Sequence, residues 1–181
     1  ISTFLASYIL RNLHQILDNM KRLFHLPILI LTILCAQSCD ILESHPYDAY
    51  VRGEKNLNEK NIKLIEENLK DKKSFRIAFI SDTQRWYDET EAMVADINKR
   101  KDIDFVIHGG DISDFGATHE FIMQRDIMLD FNMPWLALLG NHDCLGTGED
   151  VYKEVWGNPN FYFCAGNVLF ICLNTNCLEY D

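Results

Sequence analysis

The spacing of apolar residues changes rhythm several times along the chain. Over 57–69, Ile62, Ile65 and Leu69 recur on one helical face with Lys and Glu around the rest, which predicts an amphipathic helix with Asn58 as its N-cap. A short apolar run at 76–80 predicts a strand, 81–88 a loop, and 90–99 a helix with Met93, Val94 and Ile97 on its inner side. The same phrase repeats: a strand at 105–108, a loop through Gly109-Gly110-Asp111, and a helix at 118–129 capped by Thr118 with Glu120 in its first turn. A third apolar run follows at 135–139. Strand, loop and helix alternating in this way predict parallel βαβ units, and hence an α/β fold. The rhythm then changes to a helical turn at 150–155 and two alternating runs, 161–165 and 168–173, around Gly166-Asn167. These read as a hairpin whose two-residue turn sets Cys164 opposite Leu169 and Cys172 opposite Phe161, so the two thiols do not face each other.

Each apolar strand stops at a polar cluster. These are Ser81-Asp82-Thr83-Gln84, Gly109-Gly110-Asp111 and Gly140-Asn141-His142-Asp143. Parallel strands deliver their C-terminal ends to one edge, so Asp82, Gln84, Asp111 and Asn141 are expected in one crevice. Asp82 and Gln84, two apart, face the same point if their loop runs extended. Hard oxygen donors suit divalent cations, and a carboxylate such as Asp111 can bridge two ions roughly 3.5–4 Å apart. His108, at the end of its strand, is expected to be structural, and Asp114 and His119 to be turn and helix-start residues, with a supporting place behind the site as the alternative for Asp114. Arg85, Trp86 and Tyr87 follow the first cluster. They suit either a clamp for a phosphate or ring, or a solvated loop with one packed aromatic.

Composition narrows the class. With 181 residues, 48% hydrophobic and 24% charged, the chain has enough for one globular core. A net charge of −10 excludes the clustered basic surface of a non-specific nucleic-acid binder and suits carboxylates offset by bound cations. The four cysteines after Cys39 (Cys144, Cys164, Cys172 and Cys177) show no CxxC spacing and no zinc-knuckle pattern.

The N-terminal region reads differently. Met20-Lys21-Arg22 opens a basic stretch, 26–36 is apolar, and Ala36-Gln37-Ser38 places small residues before Cys39. This resembles a bacterial lipoprotein signal. It implies export to the cell envelope, lipidation of Cys39 and a membrane anchor. The expected division is an upstream extension at 1–19, a signal at 20–38, a polar tether at 39–55 and the α/β domain at 56–181.

Taken in order, the three polar clusters resemble the calcineurin-like metallophosphoesterase superfamily. Its motifs run Asp-x-His, Gly-Asp and Gly-Asn-His-(Asp/Glu), each at a strand end, and the likeness covers about 75–173. The resemblance implies a two-sheet sandwich flanked by helices, and two divalent metals (Mn, Fe or Zn). It also implies hydrolysis of phosphomonoesters or phosphodiesters by a metal-bound hydroxide. Asp82 and Gln84 would hold the first metal, Asp111 would bridge, and Asn141 would hold the second. His142 would stand beside the substrate with Arg85 and Asn141, and Asp143 would orient its imidazole. Gln84 departs from the pattern, since many members carry His there; a neutral amide is expected to hold the first metal more weakly and to shift metal preference. The family's later histidine motifs have no counterpart, because no histidine follows His142. The chain is therefore expected to be the N-terminal portion of a longer protein. The competing expectation is an envelope-anchored binding module that keeps the fold without catalysis.

Overall fold

The computed structural model describes Leu13 and residues 45–176. The extension apart from Leu13, the signal and the Cys39 lipidation site expected from the sequence lie outside the described residues, as does Cys177. Among the described residues, no helix is long and apolar enough to cross a membrane.

Strands β1 (Ile77–Ile80), β2 (Phe105–His108) and β3 (Trp135–Ala137) form a parallel sheet in the order β1-β2-β3. Helix α1 (Leu57–Leu69) precedes β1, α2 (Tyr87–Lys99) joins β1 to β2, and α3 (Thr118–Met128) joins β2 to β3. After β3 come a 3₁₀ turn (His142–Cys144), α4 (Gly148–Val155) and the antiparallel hairpin β4 (Phe161–Ala165) and β5 (Val168–Cys172). The expected α/β class and βαβ order are present, with the hairpin as a second, smaller sheet.

The period-2 alternation of the strands divides the core into two layers. Val106, Trp135 and Ala137 point into one cluster with Val94, Phe121, Met128, Val151 and Trp156. Phe105, Ile107 and Leu136 point into the other, with Ile65 and Leu69 of α1 and Phe163 and Ala165 of β4. Phe105 meets Phe163 edge-on at 6.0 Å, and Phe163 stacks on Phe170 at 4.7 Å. The hairpin register is the one the sequence predicts, with Cys164 opposite Leu169 and Cys172 opposite Phe161.

The element ends differ from the sequence reading at several points. Asn58 is not a cap. It lies inside α1, where its Oδ1 accepts from the Ala137 N–H at 3.0 Å and its Nδ2 donates to the Ala137 carbonyl at 2.8 Å. Asn61 likewise accepts from the Trp135 N–H at 3.2 Å, so two amides finish the open edge of β3. Thr118 is not a cap either. Ala117 holds that place, and Glu120 reaches back to accept from the N–H groups of Ala117 and Phe115. Helix α2 starts at Tyr87 rather than at 90, and β3 stops at Ala137 rather than at 139.

The described part of the expected tether is docked. Val51 is buried in the core. The Pro46 carbonyl accepts from the Thr118 N–H at 3.0 Å, and the Thr118 hydroxyl donates to Asp48 O. The Thr147 hydroxyl donates to Tyr47 O at 2.6 Å, and Arg125 donates to Arg52 O at 2.6 Å. These bonds make residues 46–54 a strap across the starts of α3 and α4.

Candidate metal centre

The three strand ends stop level. Ile80 pairs with His108, and His108 with Ala137. The loops that carry Asp82, Asp111 and His142 therefore leave the sheet side by side. Backbone hydrogen bonds then stitch them together. The Asp82 N–H donates to Gly110 O at 3.1 Å, the Gln84 N–H to Asp111 O at 3.3 Å, and the His142 N–H to Asp111 Oδ1 at 3.0 Å. Asp111 thus sits between the first loop and the third.

The first loop is not extended, which corrects the reading of Asp82 and Gln84 from their spacing alone. Asp82, Arg85 and Asp111 all have left-handed backbones, at φ 57, 55 and 57. Such conformations cost about 1 kcal/mol or more outside glycine, and short acidic side chains bear them best. Thr83 between them is buried and fastened from below. Its hydroxyl lies 2.8 Å from His108 Nε2, and its carbonyl accepts from Gln124 Nε2. His108 Nδ1 accepts from the Gly110 N–H at 3.1 Å, so the proton of the neutral ring sits on Nε2 and is given to Thr83. Burial drives this imidazole down to about 4, against a pull upward from Asp82. The structural reading of His108 holds, and Gln124 is a support that no sequence signal marked.

Glycine is required where the second and third loops touch. A Cβ on Gly110 (φ 107) would stand 2.6 Å from the Gly140 nitrogen, and one on Gly140 would stand 2.2 Å from Asp111 Oδ1.

Asp143 meets different partners from those expected of it. Its carboxylate is fully buried, and Oδ1 accepts from the N–H groups of Ile112 (2.9 Å) and Ser113 (2.7 Å) and from the Ser113 hydroxyl (3.0 Å). Oδ2 accepts from the Gly140 N–H at 2.9 Å. Asp143 therefore ties the second loop to the third instead of holding the imidazole. Burial pushes its carboxyl up to about 6, with the bonds from Ser113 and Gly140 pulling it back.

Asp114 holds His142. His142 Nδ1 donates to the Asp114 carbonyl at 3.0 Å and lies 3.7 Å from its Oδ1. That carbonyl bond comes first in raising the imidazole above its usual pKa; the carboxylates of Asp111, Asp114 and Asp143 add to it, against a loss from desolvation. The buried Asp114 carboxylate also grips Arg85, with Nη2 at 2.9 Å from Oδ1 and 2.7 Å from Oδ2. The sequence shows Asp114 three residues after Asp111, and that spacing was the available signal for a second acid on the same tight loop. Asn141 is exposed at the head of the 3₁₀ turn, with an ordinary right-handed backbone. Cys144 packs partly buried against the core, as a small residue beside the site.

One atom tests whether these residues suit a metal. Gln84 Oε1 is buried and has no hydrogen-bond partner among the described residues. A carbonyl oxygen left so costs about 1–3 kcal/mol, unless something electropositive meets it. Gln124 Oε1 and Trp156 Nε1 are also buried without a partner, and of these three atoms only Gln84 Oε1 belongs to a candidate ligand. Among the described residues, no three His, Cys, Asp or Glu side chains gather as a metal cluster; the set here is two carboxylates and two amides. A cleft of about 610 Å³ beside Arg76, Ile77, Met93 and Ile97 lies toward the other end of β1 and holds none of the candidate residues.

A family model described as calcineurin-like phosphoesterase matches residues 75–179. No curated protein matches the chain.

Proposed function

Because the chain belongs to the calcineurin-like phosphoesterase family, we propose that it hydrolyses phosphoesters at a two-metal centre held by Asp82, Gln84, Asp111 and Asn141. The observation that supports this most is the level stop of three parallel strands, whose loops are bonded to one another through Asp111. The buried, partnerless Gln84 Oε1 fits the same reading. When bound, the metals supply a Lewis acid for phosphoryl oxygens and lower the pKa of an attacking water.

The remaining work falls to the chain's own side chains. His142 commits Nδ1 to the Asp114 carbonyl, which leaves Nε2 for the substrate. Its raised pKa keeps the ring protonated to higher pH than a free histidine, so Nε2–H can give its proton to the departing alkoxide as the P–O bond breaks. Arg85 uses Nη2 on both oxygens of Asp114, which leaves Nη1 to donate to a phosphoryl oxygen. Asp143 orients no proton donor; it fixes the distance between the Asp111 and Asn141 loops.

The test is hydrolysis of p-nitrophenyl phosphate and bis-p-nitrophenyl phosphate by the purified full-length protein, with Mn²⁺ and with EDTA. Activity is expected only with metal. Asp111→Asn and His142→Ala are each expected to lower kcat by about 10²–10⁴-fold, the range for losing a positioned catalytic group. Unchanged turnover in either folded variant refutes the assignment.

A further inference from the structure

The donor set has a uniform chemistry. Asp82, Asp111, Gln84 and Asn141 offer carboxylate and amide oxygens, with no nitrogen or sulfur among them. Gln84 is the telling member, because its Oε1 is both buried and without a donor. The backbone on each side holds that amide in place: the Gln84 N–H is bonded to Asp111 O, and Thr83 is pinned by His108 and Gln124. An oxygen placed this way is prepared for a cation. A neutral oxygen adds no charge to the two aspartates and gives little to a soft ion, which gains more from imidazole or thiolate.

We infer that Gln84 is a metal-selecting residue, which biases its position toward hard, oxygen-preferring divalent cations such as Mn²⁺ and Mg²⁺ and away from Zn²⁺ and Fe²⁺. The inference rests on the proposed ligand set, and it concerns a ratio. Zn²⁺ binds most mixed sites more tightly than Mn²⁺ in absolute terms, so what Gln84 changes is the margin between them. Replacing the amide with an imidazole widens that margin, and replacing it with a carboxylate does not.

The experiment measures binding with no substrate present. The metal-free full chain is titrated with Mn²⁺, followed by the electron paramagnetic resonance signal of the free ion, and Zn²⁺ is then added in competition. The expected result is that Gln84→His raises the Zn²⁺/Mn²⁺ affinity ratio about tenfold or more, while Gln84→Glu leaves it within about threefold of the parent. Gln84→Leu removes the oxygen and is expected to abolish the rise in melting temperature that Mn²⁺ gives the parent chain. A ratio unchanged in Gln84→His, or a full Mn²⁺-dependent rise in Gln84→Leu, overturns the inference. Hydrolysis assayed on the same samples reports separately on the phosphoesterase reading. A chain that binds metal with the expected ratios and hydrolyses nothing keeps this inference and loses that one.

Discussion

At His108 the sheet encloses an imidazole completely, with Thr83 on one nitrogen and Gly110 on the other. The folded ring therefore resists protonation down to about 4, whereas an unfolded histidine takes a proton near 6.5. Between those values the unfolded chain binds more protons than the folded one, so stability falls as pH falls through that window. The full loss is about 3 kcal/mol once pH reaches 4, and none of it is felt above 7. Urea midpoints measured from pH 7 to 4.5 are expected to drop more steeply for the parent than for His108→Gln. Parallel pH slopes would show that His108 is not the source. The same scale shows what a sequence can and cannot reveal about a site. The meeting of the Asp82, Asp111 and His142 loops at one edge was legible because each of these residues stands two or three positions beyond an apolar run, and strand ends are where α/β folds put their chemistry. The partner of each side chain was not legible. Asp143 stands next to His142 in the chain yet bonds Ile112 and Ser113, while His142 bonds Asp114, because partner choice is made between loops after the sheet has brought them together.

Among the elements, α1 does an unusual job for an amphipathic helix. Its apolar stripe packs as the 3.6-residue period predicts, with Ile65 and Leu69 buried against Phe105 and Leu136. Its polar Asn58 and Asn61 are buried too, and they serve as the missing neighbour of β3. Removing the first leaves the Ala137 N–H buried with no acceptor; the Ala137 carbonyl keeps the Tyr152 hydroxyl at 2.6 Å. Asn58→Ala is accordingly expected to cost about 2 kcal/mol in urea denaturation, the penalty of one unsatisfied buried donor. A cost under about 0.5 kcal/mol would mean that the strand edge is satisfied by other means. The helix was legible to the residue, because periodicity encodes which face is apolar. The edge-capping role was not, because asparagine is equally at home in a cap, a turn or on a solvated face, and only the sheet decides which.

Over the whole described body, the two buried layers share one sheet, and the strap at 46–54 closes the far side of the helical layer. Its polar composition made this stretch look like a tether. It docks because its carbonyls meet the N-terminal groups of α3 and α4, which need acceptors and hydroxyl partners at those positions. Four hydrogen bonds and the burial of Val51 together contribute roughly 4 kcal/mol. A chain begun at residue 55 is expected to melt well below one begun at residue 45; equal melting temperatures would leave the strap without an energetic role.

The strap also has a mechanical side. Traction applied at residue 45 travels first along the carbonyls of Pro46, Tyr47 and Asp48, and these are fastened to Thr118 and Thr147. Thr118 follows the loop that carries Asp111 and Asp114, and Thr147 follows the one that carries Asn141 and His142. A tug on this end is thus delivered to the two loops of the site before it reaches any strand of the sheet. Position 45 becomes a handle on the geometry of the centre.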